Sequence, residues 1–237
     1  MIASLKTPRA IGAFLRAEPE RFRGWMLQRQ GNLVAFCVVA IIAGAGSYGA
    51  VIGCWRDPLQ AFYTSIKLPL VILLTTLGNG LLNGMLAPLL GLNVTFRQSL
   101  ALVLISFAIT AMVLGALSPV ALFIVWNTPP LVAGTTAAAP EYAVLQLTLA
   151  VFVALAGVVG NLRLLPLLRE WAGRSTVARN VLFAWLVGNL FLGSQICWVL
   201  RPFIGVPGAP VEFIGQNPFQ GSFFEAVFNA VNKLIFS

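Results

Sequence analysis

Polar positions along the chain withdraw into the connections and leave five stretches, 33–54, 68–92, 100–126, 143–165 and 181–200, that are apolar almost without interruption. Each comes close to or exceeds the about 20 residues that an α-helix needs to cross a roughly 30 Å hydrocarbon layer. None contains an acidic residue, and the only basic one inside them is Arg163, close enough to its span's end to snorkel. The third stretch is long enough to tilt or kink, and Pro119 stands where a kink would help. The pattern predicts an all-α fold: a polytopic membrane bundle of about five transmembrane helices.

Two flanking segments carry a different periodicity. Residues 1–32 are polar and basic, with Thr7-Pro8 placed as an N-cap and first helical residue, and with Ile11, Phe14 and Leu15 on one face. Phe22, Trp25 and Met26 offer a second apolar face after Pro19. A cationic amphipathic segment on an anionic leaflet and a partly disordered basic tail both fit this stretch. At the other end, residues 205–237 comprise a Pro/Gly-punctuated linker and then a capping box, Ser222 to Glu225. Behind it Phe224, Phe228, Val231 and Ile235 share one helical face, the expected partner-facing or lipid-facing side of a C-terminal interfacial helix. The expected organisation is thus 1–32, a membrane domain over 33–204, and 205–237.

Composition agrees: 59% of the 237 residues are hydrophobic and 9% charged, against about 25% charged in soluble domains. A net charge of +8 would otherwise suggest nucleic acid, but here the basic residues lie between apolar spans, which favours topology over nucleic-acid binding. Lys6, Arg9, Arg16, Arg21, Arg23, Arg29, Arg97, Arg163, Arg169, Arg174 and Arg179 fall on one side of the expected bundle. Only Arg56, Lys67, Arg201 and Lys233 fall on the other. The positive-inside rule then puts the N-terminus in the cytoplasm and the C-terminus outside, and the bacterial cytoplasmic (inner) membrane is the expected location.

Chemistry is sparse. There is no histidine, the commonest metal ligand and neutral-pH proton carrier. Cys37, Cys54 and Cys197 lack CxxC spacing, so no cofactor or metal site is implied. Cys54 and Cys197 both close spans on the outer side, where they would pack or form a disulfide. No carboxylate pair, nucleophile triad or phosphate loop can be assembled, which argues against an enzyme.

Three constellations remain. On the outer side, Arg56, Lys67, Trp198 and Arg201 mix cations and an aromatic, which suits interfacial anchoring or the capture of an anionic headgroup or a partner's carboxylate. Within the spans, Asn79, Asn83, Asn189 and Gln195 would serve as interhelical hydrogen-bond contacts or as the lining of a polar path. Small residues at four-residue spacing, Ala45, Gly49 and Gly53, then Gly80 and Gly84, predict close helix seams inside the bundle or at an oligomer interface.

The central portion resembles the Yip family of five-span membrane proteins. The stretch Leu81-Leu82-Asn83-Gly84-Met85-Leu86-Ala87-Pro88-Leu89-Leu90-Gly91-Leu92 carries the likeness, with the short link Asn93 to Gln98, Ser99-Leu100-Ala101 and the later Ser118-Pro119. Residues Trp198 to Gly205 and Phe223 to Val227 are similar to segments of bacterial multi-pass membrane proteins. The resemblance implies architecture and a non-catalytic role. The GTPase partners of the family's eukaryotic members are not implied, because residues 1–32 hold no recognisable motif for them. The leading expectation is therefore a scaffold or accessory subunit that organises lipid or a partner membrane protein, possession of a homo-oligomeric form included. A channel or carrier for a small solute or lipid is the alternative, and a lipid-modifying intramembrane enzyme a distant third.

Overall fold

A computed structural model of the chain describes residues 8–16, 18, 20, 22, 24–25, 30–92, 94–129, 140–205 and 210–225. The helices are α1 (Pro8–Leu15), α2 (Gln30–Cys54), α3 (Pro58–Leu89), α4 (Phe96–Asn127), α5 (Pro140–Leu162), α6 (Leu165–Ala172) and α7 (Ser175–Val199). Five are long and apolar enough to cross a membrane: α2, α3, α4, the run through α5 and α6, and α7. The described part is an all-helical bundle of the kind a multi-pass membrane protein forms.

Local chemistry sets the ends of these helices. Asp57 caps α3, its carboxylate accepting from the Leu59 amide at 2.7 Å, with Pro58 in the first helical position, where its missing N–H costs nothing. Thus α3 starts ten residues before the apolar stretch beginning at 68, and Lys67 lies inside a helix rather than in a loop. At its far end Gly91, with φ of 84°, lets the chain reverse into α4. Thr95 and Gln98 then form a reciprocal capping box, so α4 begins at Phe96. Pro119 is accommodated inside α4.

Helix α4 is the centre of the bundle, buried at positions along its whole length from Ser99 to Val125. Helix α2 packs on α3 and α4, α3 also on α4 and α7, α4 on α5, and α6 on α7. The small-residue seams lie within this bundle. A side chain at Gly49 would strike the Thr64 carbonyl of α3, and one at Gly53 would meet the Ala61 backbone at 2.6 Å. A side chain at Gly44 would strike the Ala111 carbonyl of α4, while Gly80 and Gly84 face Leu100 and Phe96. In lipid, where apolar burial adds little between helices, such close approach supplies the van der Waals contact that holds them.

The outer surface is what a hydrocarbon solvent allows. Val39, Leu77, Phe123, Leu147, Leu155 and Leu190, spread over all five long helices, are each more than half exposed, which suits a lipid solvent. The amphipathic N-terminal segment turns its apolar face to the protein. Phe14 is wholly buried, with its ring 5.2 Å from Phe22 and 5.0 Å from Phe36 of α2. Thr7 and Met26 lie outside the described residues, as do Phe228, Val231 and Ile235 of the expected C-terminal helix. The start of that helix is described: Ser222 accepts from the Glu225 amide at 3.1 Å, the forward half of the capping box.

Candidate functional site: two polar clusters

Polar side chains enter the bundle in two places, and the backbone treats them differently. The first is the end of the bundle where α7 gives way to residues 200–205. Gln60, Thr64 and Lys67 stand at i, i+4 and i+7 on one face of α3, all three fully buried. They receive the chain leaving α7. Gln60 Nε2 donates to the Pro202 carbonyl at 3.1 Å and the Phe203 carbonyl at 2.8 Å, while Thr64 Oγ1 donates to the Phe203 carbonyl at 2.6 Å. Lys67 Nζ donates to the Pro202 carbonyl at 2.7 Å and lies 5.9 Å and 5.2 Å from the ring centres of Phe203 and Phe213. A buried ammonium is tolerated here because a carbonyl dipole and two aromatic faces stand in for water.

Each carbonyl in this clamp has two donors. Arg56, Trp198 and Arg201 stand at the same end. Arg201 lays its guanidinium 3.8 Å over the Trp198 ring and donates to the Trp198 carbonyl at 2.7 Å. Trp198 Nε1 donates to the Gln220 carbonyl at 3.0 Å, tying residues 217–220 back to α7. Arg56 is half-buried with its side chain against Gly205, whose φ of 96° is a conformation that favours glycine. Thus Arg56, Lys67, Trp198 and Arg201 do converge at one end, but as contacts that fold the segment after α7 onto the bundle. Phe224 is exposed and stacks on Phe191 of α7 at 5.7 Å.

The second cluster lies deeper, between α3, α4, α5 and α7. Asn79 Nδ2 donates to Asn189 Oδ1 at 2.5 Å, and Asn189 Nδ2 to Asn161 Oδ1 at 3.1 Å. Asn161 in turn donates to its own helix at the Gly157 carbonyl, 2.8 Å away. This amide relay joins three helices. Around it, however, several buried polar atoms have no hydrogen-bond partner: Thr75 Oγ1, Asn79 Oδ1, both side-chain polar atoms of Asn83, Ser99 Oγ, Ser106 Oγ and Trp185 Nε1. Buried polar groups are paired in the great majority of cases, and an unpaired one costs about 1–3 kcal/mol.

Of the residues read from sequence, Asn79 and Asn189 meet directly, and Asn83 is buried one turn further along α3. Gln195 is half-buried toward the clamp end of α7. Gln60, Thr64, Asn161 and Trp185 were not legible as partners. The i, i+4, i+7 spacing of Gln60, Thr64 and Lys67 is the signal that could have found the first cluster, had α3 been extended back to Asp57. Cys37, Cys54 and Cys197 are all free thiols. Tyr48, buried in α2, donates to the Leu149 carbonyl of α5 at 2.8 Å, a further cross-helix tie.

No protein-family model matches the chain, and neither a curated protein nor a solved structure matches it. The functional reading therefore stands on the sequence and the geometry.

Proposed function

We propose that this chain is a non-enzymatic multi-pass protein of a bacterial cytoplasmic membrane, acting as a scaffold or accessory subunit for a partner membrane protein or lipid assembly. The observation that carries this reading is the clamp. Gln60, Thr64, Lys67, Trp198 and Arg201 direct their donors at backbone carbonyls of residues 198–220, so the bundle holds an extramembrane segment in a fixed place. That segment carries Phe219, 84% exposed, together with exposed Ile214, the aromatic and apolar kind of anchor that interfaces use. On this reading the N-terminus is cytoplasmic and the held segment extracytoplasmic, in keeping with the basic residues of 1–32 and 163–179. The resemblance of 81–101 to Yip-type proteins points the same way.

The test is purification of the tagged protein from its native membrane in a gentle detergent, beside the double variant Gln60→Leu/Thr64→Val. The expected result is a stoichiometric partner chain with the wild type and its loss with the clamp variant, the bundle remaining folded. A wild type that purifies as a single chain, or a partner retained by the clamp variant, would sink the clamp's role as a display device.

A second reading has its own support. The unpaired polar atoms around Asn79 and Asn83 suit a protein that admits a small solute between α3 and α7. No acidic, basic or histidine side chain joins this cluster, so an uncharged solute fits it better than an ion-driven cargo. Cysteines placed at 79 and 83 that react with a water-soluble thiol reagent would support solute entry, and complete protection would dismiss it.

A further inference from the structure

We infer that the buried layer at Asn83 and Trp185 is a binding site for one small uncharged molecule bearing both a hydrogen-bond acceptor and a donor, a primary amide being the simplest class. The inference rests on the solute reading of the second cluster and is independent of the scaffold reading.

The helix register sets the two residues at one height on packed helices. Helices α3 and α7 run antiparallel, with Thr75 level with Gly193 and Asn79 level with Asn189. One step of four residues along each helix, about 6 Å, brings Asn83 level with Trp185. The same face continues on both, since i and i+4 are helical neighbours. On the other side, α3 and α4 pair Gly80 with Leu100 and Gly84 with Phe96, which sets Ser99 of α4 within the same layer.

Asn83 and Trp185 are each 1% exposed and Ser99 is fully buried. Yet Asn83 Oδ1, Asn83 Nδ2, Trp185 Nε1 and Ser99 Oγ make no hydrogen bond. Easy ways of pairing exist and go unused. Thr76, Thr110 and Ser118 in the same two helices turn back onto the carbonyl four residues earlier, whereas Ser99 does not. Asn83 does not extend the relay that Asn79 begins, although Trp185 offers only a donor that its Oδ1 could accept. The layer therefore presents two fixed donors, one fixed acceptor and one hydroxyl of either sense.

That set defines the guest. A carbonyl or hydroxyl oxygen would accept from Trp185 Nε1 and Asn83 Nδ2, while an N–H or O–H would donate to Asn83 Oδ1. Charge is disfavoured, because no ionised side chain stands in the layer to compensate it; Arg97, the residue level with Asn83 on α4, is exposed. A primary amide supplies both functions in one planar group.

The experiment uses the full chain in detergent micelles with nitrogen-15 in the indole of its six tryptophans. Trp185→Phe assigns the Trp185 resonance, and acetamide is the probe. We expect the Trp185 indole signal alone to shift, saturably, and the response to weaken at least ~10-fold in Asn83→Leu, as loss of two hydrogen bonds requires. Asn83→Ala serves the same purpose should the leucine variant fail to fold. A Trp185 signal unmoved by acetamide overturns the inference, including the case where it exchanges rapidly with deuterated water, which means water alone occupies the layer. A shift that persists unchanged in both Asn83 variants overturns it too. Acetamide flux into proteoliposomes separates site from transport: a shift without flux upholds the binding site and removes only the carrier reading.

Discussion

The two polar clusters of this bundle put similar residues into similar surroundings and reach opposite outcomes. At the end near Pro202, three buried side chains of α3 face two backbone carbonyls, and each carbonyl is held twice. In the layer from Thr75 to Trp185, amides and hydroxyls meet across four helices, yet only the Asn79–Asn189–Asn161 relay is made. In the first cluster the chain itself holds both carbonyls and leaves Gln60 Oε1 as the one unpaired side-chain atom of Gln60, Thr64 and Lys67, so this cluster belongs to folding. The second is left open and so is where a guest has something to gain. The distinction lies in the partner: a backbone carbonyl stays where the fold puts it, whereas a side-chain amide facing another helix needs its neighbour at the right height and angle.

The closed cluster should show redundancy, and that is where the largest effect is expected. Gln60→Leu/Thr64→Val removes both donors of the Phe203 carbonyl and one of the two on Pro202. Three lost hydrogen bonds at about 1 kcal/mol each, plus about 1–3 kcal/mol for the stranded Phe203 carbonyl, give a loss of roughly 5 kcal/mol. Each single variant leaves the carbonyl one donor, so the double should exceed the sum of the singles. Unfolding of the reconstituted protein by increasing mole fraction of denaturing detergent measures this cycle. Strict additivity would show that the double hold does not operate.

Next comes the relay. Asn189→Leu breaks two interhelical hydrogen bonds at once. Contacts of this kind in membranes average about 0.6 kcal/mol, so about 1.2 kcal/mol is expected, seen as a lower midpoint in the same unfolding assay. Thr64→Val alone follows at about 1 kcal/mol, because Gln60 still covers the Phe203 carbonyl. Limited proteolysis of 201–225 should distinguish the two variants. Loosening of that segment is expected for Thr64→Val and not for Asn189→Leu, whose effect is confined to the bundle.

What sequence could reveal followed from the range of the interaction. The five spans and the small-residue seams depend on near neighbours or on the lipid, and they are legible in the apolar runs and the four-residue spacings. Lys67 is the instructive case. Read alone, a lysine before an apolar run marks the water interface, and the second span was expected from 68. In the fold the same lysine is buried, because Pro202, 135 positions away, brings a carbonyl to it. Nothing local encodes that partner. Asn79, Asn83 and Asn189 were legible as intramembrane polar residues, but Asn161 lay beside Arg163 at a span's end and Trp185 passed as an apolar residue. Their roles depend on helix register, and register is set by glycine contacts such as Gly193 with Thr75 and Gly84 with Phe96.

The smallest expected effect is the most discriminating. Asn83 is as buried as Asn79, and a count of intramembrane asparagines would assign it the same stabilising role. Its amide makes no hydrogen bond, so Asn83→Leu removes none, and it relieves the burial of two unpaired polar atoms. Leucine keeps the branched outline of asparagine's side chain but is bulkier, so Asn83→Ala runs beside it as the control for overpacking. The expected change in unfolding free energy is within about 0.5 kcal/mol of zero, or slightly stabilising. A loss as large as that of Asn189→Leu would mean that Asn83 is bonded within the folded protein and that the layer is closed like the clamp. A neutral result together with a lost acetamide response at Trp185 would separate the two asparagines by role: Asn189 holds the helices together, and Asn83 stands ready for a guest.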